Sequence, residues 1–135
     1  MTNWAIGHTN VFAGAITDRC VSNLVSLLGS GDIAEPPDDY WPGNTWDRTS
    51  GLWEQSPLRY MGKCKTPTLI IHSEGDLRCN IEQGDQVFTA LQQRGVPVQF
   101  VRYPPSTSHG MSRAGPPDLR IHRLHQILGW WKRWL

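Results

Sequence analysis

Two segments of this 135-residue chain end in side chains able to move a proton. The apolar run Thr68-Leu69-Ile70-Ile71-His72 leads into Ser73-Glu74-Gly75-Asp76. Val98-Gln99-Phe100-Val101-Arg102-Tyr103 leads through a Pro/Ser loop to Ser108-His109-Gly110. A carboxylate after one strand and an imidazole after a later strand follow the order nucleophile, Asp, His used by one large group of acyl-transfer sites. In such a pair the Asp accepts the imidazole Nδ1–H and fixes the tautomer, which frees Nε2 to act as general base and then general acid. Taken singly, Asp76 is a turn residue in Glu-Gly-Asp and His109 a loop histidine beside a glycine. Their order, and their common placement at strand ends, make them the candidate catalytic dyad. The nucleophile is missing from the pattern, because no G-x-S-x-G turn precedes Asp76.

Few other residues could stand in for that serine. Gly110-Met111-Ser112-Arg113-Ala114 comes nearest, as G-x-S-x-A, but it follows the His and lacks the strand-before, helix-after context that exposes a nucleophile. Ser106 and Ser108 flank His109, and neighbours along an extended loop point away from each other. Cys20 and Cys79 are thiols that would react only if their surroundings favoured the thiolate; Cys79 lies three residues after Asp76. Arg78 is a candidate substrate-binding cation at the mouth of a pocket, or else a surface arginine. His122 and His125 stand one helical turn apart without a third ligand in reach, so no metal is expected there. His8 and His72 read as structural, and nothing in the sequence calls for a cofactor.

The elements that must position the pair follow from periodicity. Residues 2–8 resemble the last turns of a helix, and Val11–Thr17 is a short apolar run expected to be a buried strand. Val21, Leu24, Val25 and Leu28 have helical spacing, stopped by Gly29-Ser30-Gly31. Residues 32–57 carry Pro36, Pro37 and Pro42, six acids against the single Arg48, and Trp41, Trp46 and Trp53. This is expected to be an irregular connection packed down by its tryptophans. A short helix from Ser56-Pro57, a strand over Leu69–Ile71, a helix from Ile81 to Arg94 and a strand over Val98–Tyr103 follow. The last helix spans roughly 118–135, with Ile121, Leu124, Ile127, Leu128, Trp131 and Leu135 on its apolar stripe. Strands alternating with helices imply an α/β fold: a short parallel sheet of about three strands covered by helices on both faces. In parallel sheets ligand sites lie beyond the carboxyl ends of the strands, where both Asp76 and His109 fall.

Bulk composition narrows the function classes. A net charge of +1 with 19% charged residues offers no electrostatic reason to bind nucleic acid or a membrane surface. No window approaches the ~20 apolar residues of a membrane span, and the first residues lack the basic and apolar regions of a secretory leader. Three widely spaced cysteines without a C-x-x-C pair suit a reduced, cytoplasmic protein. The length fits one domain over 1–135. Seven tryptophans suggest extensive buried or interface surface.

Several stretches together resemble the prolyl oligopeptidase family of serine peptidases, in particular its acylaminoacyl-peptidase branch. They are Thr66-Pro67 through Asp76-Leu77-Arg78, Glu82-Gln83-Gly84-Asp85-Gln86, Arg102-Tyr103-Pro104, Ser108-His109-Gly110-Met111-Ser112-Arg113, and Thr17-Asp18-Arg19-Cys20-Val21 with Asn23. The resemblance covers the whole chain and implies the C-terminal half of a catalytic α/β-hydrolase domain. Met1 would then stand just after a Gly-Gly-Ser-Tyr-Gly-Gly elbow whose serine lies about five residues upstream. It implies a serine hydrolase acting on acylated peptides or small esters, with Asp76 and His109 catalytic. The alternative is a non-catalytic, oligomer-forming α/β remnant or interaction module. In either case the edge of the first strand lacks its neighbour, and an unpaired strand edge beside apolar surface invites a second copy of the chain.

Overall fold

The structure is a computed structural model that describes residues 1–33, 41 and 43–135. Three strands, β1 (Ala15–Asp18), β2 (Thr68–Ser73) and β3 (Val98–Tyr103), form one sheet in the order β1-β2-β3, every pair parallel. β2 lies in the middle and all six of its residues are buried, which is why its centre, Leu69-Ile70-Ile71, shows no polar alternation. The helices are α1 (Thr2–His8), α2 (Leu24–Ser30), α3 (Ser50–Gln55), a 3₁₀ helix (Pro57–Lys63), α4 (Glu82–Gln93), α5 (Met111–Ala114) and α6 (Pro117–Trp134).

Strand alternation divides the core in two. Ile70 on β2 packs with Ile6 of α1, Met61 of the 3₁₀ helix, and Val87 and Leu91 of α4. Its neighbours Leu69 and Ile71 point to the opposite face and pack with Tyr103, Met111 and Trp130. A third cluster, Leu24, Leu27, Leu52 and Cys79, joins α2 and α3 to the turn after β2. Local chemistry sets the boundaries. The Asn23 side chain accepts from the amides of Val25 and Ser26 and starts α2. Gly95, at φ +69°, follows α4 in the left-handed conformation that ends many helices.

One buried polar side chain binds the two halves of the fold. Gln83 of α4 is fully buried, and its carboxamide oxygen accepts from the amides of Ser22 and Asn23 at 2.8 Å each. Its nitrogen donates to the Ser26 hydroxyl at 2.9 Å. The segment between β1 and α2 is thereby fixed against α4.

Three expectations need correction. The first strand starts at Ala15 rather than Val11, and Val11 and Phe12 stand exposed beside it. On α6 the face against the sheet is Leu119, Ile127, Trp130, Trp131 and Trp134, whereas Ile121, Leu124 and Leu128 are more than half exposed. Both stripes have helical spacing, and the aromatic one prevails because indole rings bury more area per residue. Of the tryptophans in 32–57, Trp41 packs beside α2 but Trp46 and Trp53 are exposed, and residues 50–55 form α3. Pro36, Pro37 and Pro42 lie outside the described residues.

Candidate active site

The carboxyl ends of β2 and β3 carry the two loops that matter. After β2 the chain turns at once: the Glu74 amide donates to the Tyr103 carbonyl at 2.9 Å and the Asp76 amide to the Ser73 carbonyl at 3.2 Å. This turn directs Asp76 inward, where it is 1% exposed. Its Oδ1 accepts from the backbone amides of Arg78 (3.0 Å) and Cys79 (2.9 Å), so the carboxylate plane is held by its own loop. After β3, Thr107 is buried and bonds back to the Pro104 carbonyl through both its amide and its hydroxyl. That closed turn presents His109, whose Nδ1 lies 2.8 Å from Asp76 Oδ2. An ionised carboxylate only accepts, so Nδ1 carries the proton and Nε2 is left as the basic nitrogen. The imidazole side chain is 35% exposed, and Nε2 has no hydrogen-bond partner among the described residues.

The electrostatics favour an ionised Asp76. Burial pushes its carboxyl pKa up, but hydrogen bonds from His72, the Cys79 amide and His109 outweigh that cost and hold it below the ordinary carboxylate value. Two features bring the loops this close. A side chain on Gly75 would place its Cβ 2.2 Å from the Pro105 carbonyl oxygen and 2.4 Å from that of Thr107, so only glycine permits this approach. Arg19, immediately after β1, adopts the left-handed conformation at φ 51°, uncommon for a residue with a side chain, and its guanidinium donates to the His109 carbonyl at 3.2 Å.

Arg78 joins the site through its backbone amide, while its half-exposed guanidinium pairs with Asp32. Ser106 and Ser108 are exposed, Ser112 is the second residue of α5, and none of these hydroxyls hydrogen-bonds His109. Cys79 is buried; burial and the Asp76 charge push its thiol up to about 11, the wrong direction for a nucleophile at neutral pH. Cys20 is buried as well. His122 bonds the Tyr103 hydroxyl at 3.0 Å, and no cluster of three metal-ligating side chains occurs among the described residues. No helix among them is long and apolar enough to cross a membrane. Residue types did not disclose Gly75, Arg19 or His72 as parts of the site. The one available signal was that Gly75 and His72 fall within four residues of Asp76.

A parallel sheet with an Asp and a His on adjacent loops at its carboxyl edge defines part of an α/β-hydrolase fold. The uncomplexed acylaminoacyl peptidase of Pyrococcus horikoshii superimposes with a TM-score of 0.90 at 28% identity, covering 99% of this chain and 22% of that one. Residues 1–135 match the prolyl oligopeptidase family from end to end, and the chain belongs to that family. It is 43% identical over 136 residues to the uncharacterized peptidase YuxL of Bacillus subtilis, which covers all of this chain and 20% of that protein. It is 30% identical over 115 residues to the acylamino-acid-releasing enzyme of Mus musculus, covering 78% of this chain and 15% of that protein. The chain thus spans about a fifth of the length of the relatives it matches.

Proposed function

We propose that residues 1–135 supply the acid–base half of a serine-type peptidase domain that acts on acylated peptides or small esters. The observation that carries this reading is the 2.8 Å contact between His109 Nδ1 and Asp76 Oδ2, with Nε2 unpaired. In this scheme Asp76 orients His109 and stabilises its cation. Nε2 takes the proton of a serine hydroxyl as the oxygen attacks the acyl carbonyl, and delivers it to the departing amine or alcohol. It then deprotonates the water that releases the acyl group. Arg78, half exposed beside Asp76, is the cation we assign to the substrate mouth. The scheme needs either a substitute nucleophile within the chain or a serine supplied by another polypeptide, since no G-x-S-x-G turn precedes Asp76. Three free thiols fit a reducing, cytoplasmic setting.

Loss of a triad serine costs on the order of 10⁶ in kcat, so the isolated chain should show only slow, His-assisted hydrolysis of activated esters. Turnover of p-nitrophenyl acetate is expected to disappear in His109→Ala and to fall in Asp76→Asn. A rate indifferent to both changes sinks the acid–base reading. Fluorophosphonate labelling, read by intact mass, should leave the chain unmodified. A stoichiometric adduct on Ser106, Ser108 or Ser112, abolished by His109→Ala, would place the nucleophile inside the chain instead.

A second reading, a non-catalytic oligomer-forming module, is favoured by one specific feature. The outer edge of β1 has no strand partner among the described residues, and a groove of about 390 Å³ runs beside it, bordered by Ala5, Ile6, Phe12, Ile16 and Trp131. We infer that two copies meet along this edge about a two-fold axis. Light scattering at micromolar concentration is expected to give the dimer mass, and a monomer overturns the pairing.

A further inference from the structure

His109 is held at two points, and only one of them is its ring. Nδ1 lies 2.8 Å from Asp76 Oδ2, and the backbone carbonyl accepts from the Arg19 guanidinium at 3.2 Å. The other hydrogen bonds of residues 104–109 stay within the segment or run to the residues just after it, as Thr107 to Pro104 and Met111 to Ser108. Among the described residues, then, Asp76 and Arg19 supply the hydrogen bonds that tie this loop to the rest of the fold. Pro104, Pro105, Ser106 and Ser108 are exposed, so little packing holds it otherwise.

Arg19 reaches the loop through an unusual backbone. Ala15 and Thr17 of β1 are buried, Ala15 in the core it shares with α4, and strand alternation would send residue 19 the same way. The Arg19 amide still donates to the Ile71 carbonyl at 2.9 Å. The left-handed turn at φ 51° then takes the chain out of the strand, and the guanidinium crosses the carboxyl edge to the loop after β3. Three penalties gather at this one residue. Its φ is disfavoured for any residue with a side chain. Its Nε is buried without an acceptor among the described residues. No carboxylate among them pairs with its charge. Local rules broken together in this way mark a residue kept for its position.

We propose that Arg19 is a positioning residue: it anchors the backbone of His109 so that Nε2 keeps one direction, and it does so at a net cost in fold stability. The use of that anchoring rests on the acid–base reading given above. A ring held through Nδ1 alone pivots about that one bond. Fixing the carbonyl as well removes this freedom and keeps Nε2 aimed at one point, the condition under which a general base is effective.

The test uses the full 135-residue chain with Arg19→Gly and Arg19→Asn, residues that accept a left-handed backbone but cannot reach His109. Both variants should unfold at or above the wild-type temperature; a lower temperature in both, or failure of both to fold, overturns the proposal. Amide hydrogen exchange over residues 106–109 should nonetheless quicken about tenfold, the factor that one lost hydrogen bond implies. Unchanged exchange overturns the proposal. Nitrogen-15 spectra of the neutral His109 ring supply a signature that a merely structural arginine would not move. The wild type should show the Nδ1–H tautomer and the variants a mixture of both; the same single tautomer in all three overturns the proposal. Failure of the acid–base reading shows elsewhere, as a p-nitrophenyl acetate rate indifferent to His109→Ala, and leaves the exchange and tautomer results to decide the role of Arg19.

Discussion

Gly75→Ala is expected to separate Asp76 from His109 and to destabilise the fold by about 3 kcal/mol or more, the upper end of what overpacking costs. The added Cβ would meet two backbone carbonyl oxygens, of Pro105 and Thr107, at 2.2 and 2.4 Å. Neither atom can rotate away as a side-chain end would. The loop after β3 must retreat, and it carries His109, whose contact with Asp76 at 2.8 Å does not survive a shift of about an ångström. In thermal unfolding this should appear as a loss on the order of 10 °C. Gly129→Ala is the control: Gly129 lies within α6 with nothing within 4 Å of the added Cβ, so alanine should be neutral or slightly stabilising there. Similar unfolding temperatures for the two variants would remove Gly75 from the account of how the loops meet.

Stability should decline as the solution becomes alkaline, and His72 should be the cause. Its pKa is raised from 6.5 to about 10 on folding, so the native state holds a proton that the unfolded chain releases over that range. The associated stabilisation is complete below about pH 6.5 and is lost as pH rises toward 10, at up to about 1.4 kcal/mol per unit. Asp76 has the opposite sign: its lowered pKa contributes stability above the ordinary carboxylate range, lost as pH falls through the native value. Urea unfolding should therefore give its highest midpoint near pH 5 to 6 and a falling midpoint from about 6.5 to 8.5. Cys64 and Cys79, whose thiols are raised above 9.0 by burial, add their own loss only beyond that window. His72→Gln should flatten the alkaline limb. A wild-type midpoint constant over that window, or an equal decline in the variant, contradicts a charged His72.

How far the residues announced this arrangement differs from element to element. α4 was plain from its helical period and β2 and β3 from their short apolar runs, and the two strands pair along their full length, Thr68 with Val98 through Ser73 with Tyr103. α6 was plain as a helix but not in its orientation, since it carries two apolar stripes and the sheet chooses between them by the area each can bury. The early strand was displaced because Val11 and Phe12 are apolar in a stretch that is exposed beside β1. Asp76 and His109 could be paired from their order alone, because parallel strands deliver their following loops to one edge. His72, Gly75 and Arg19 could not. Their contributions depend on a face of a strand, an approach of two carbonyls and a backbone angle, and none of these leaves a mark in residue spacing.

Residue order was enough for the α/β architecture, the Asp-then-His sequence of loops and the family resemblance, since these depend on periodicity and on motifs read along the chain. Three-dimensional packing was needed to put Asp76 between two imidazoles, to spare Gly75 a side chain, to pin His109 through Arg19 and to bury Cys79 as an inert thiol. The physical reason is that proton affinities and loop positions are set by distances of a few ångströms between residues far apart in sequence. Such distances exist only once the sheet has brought its strand ends together.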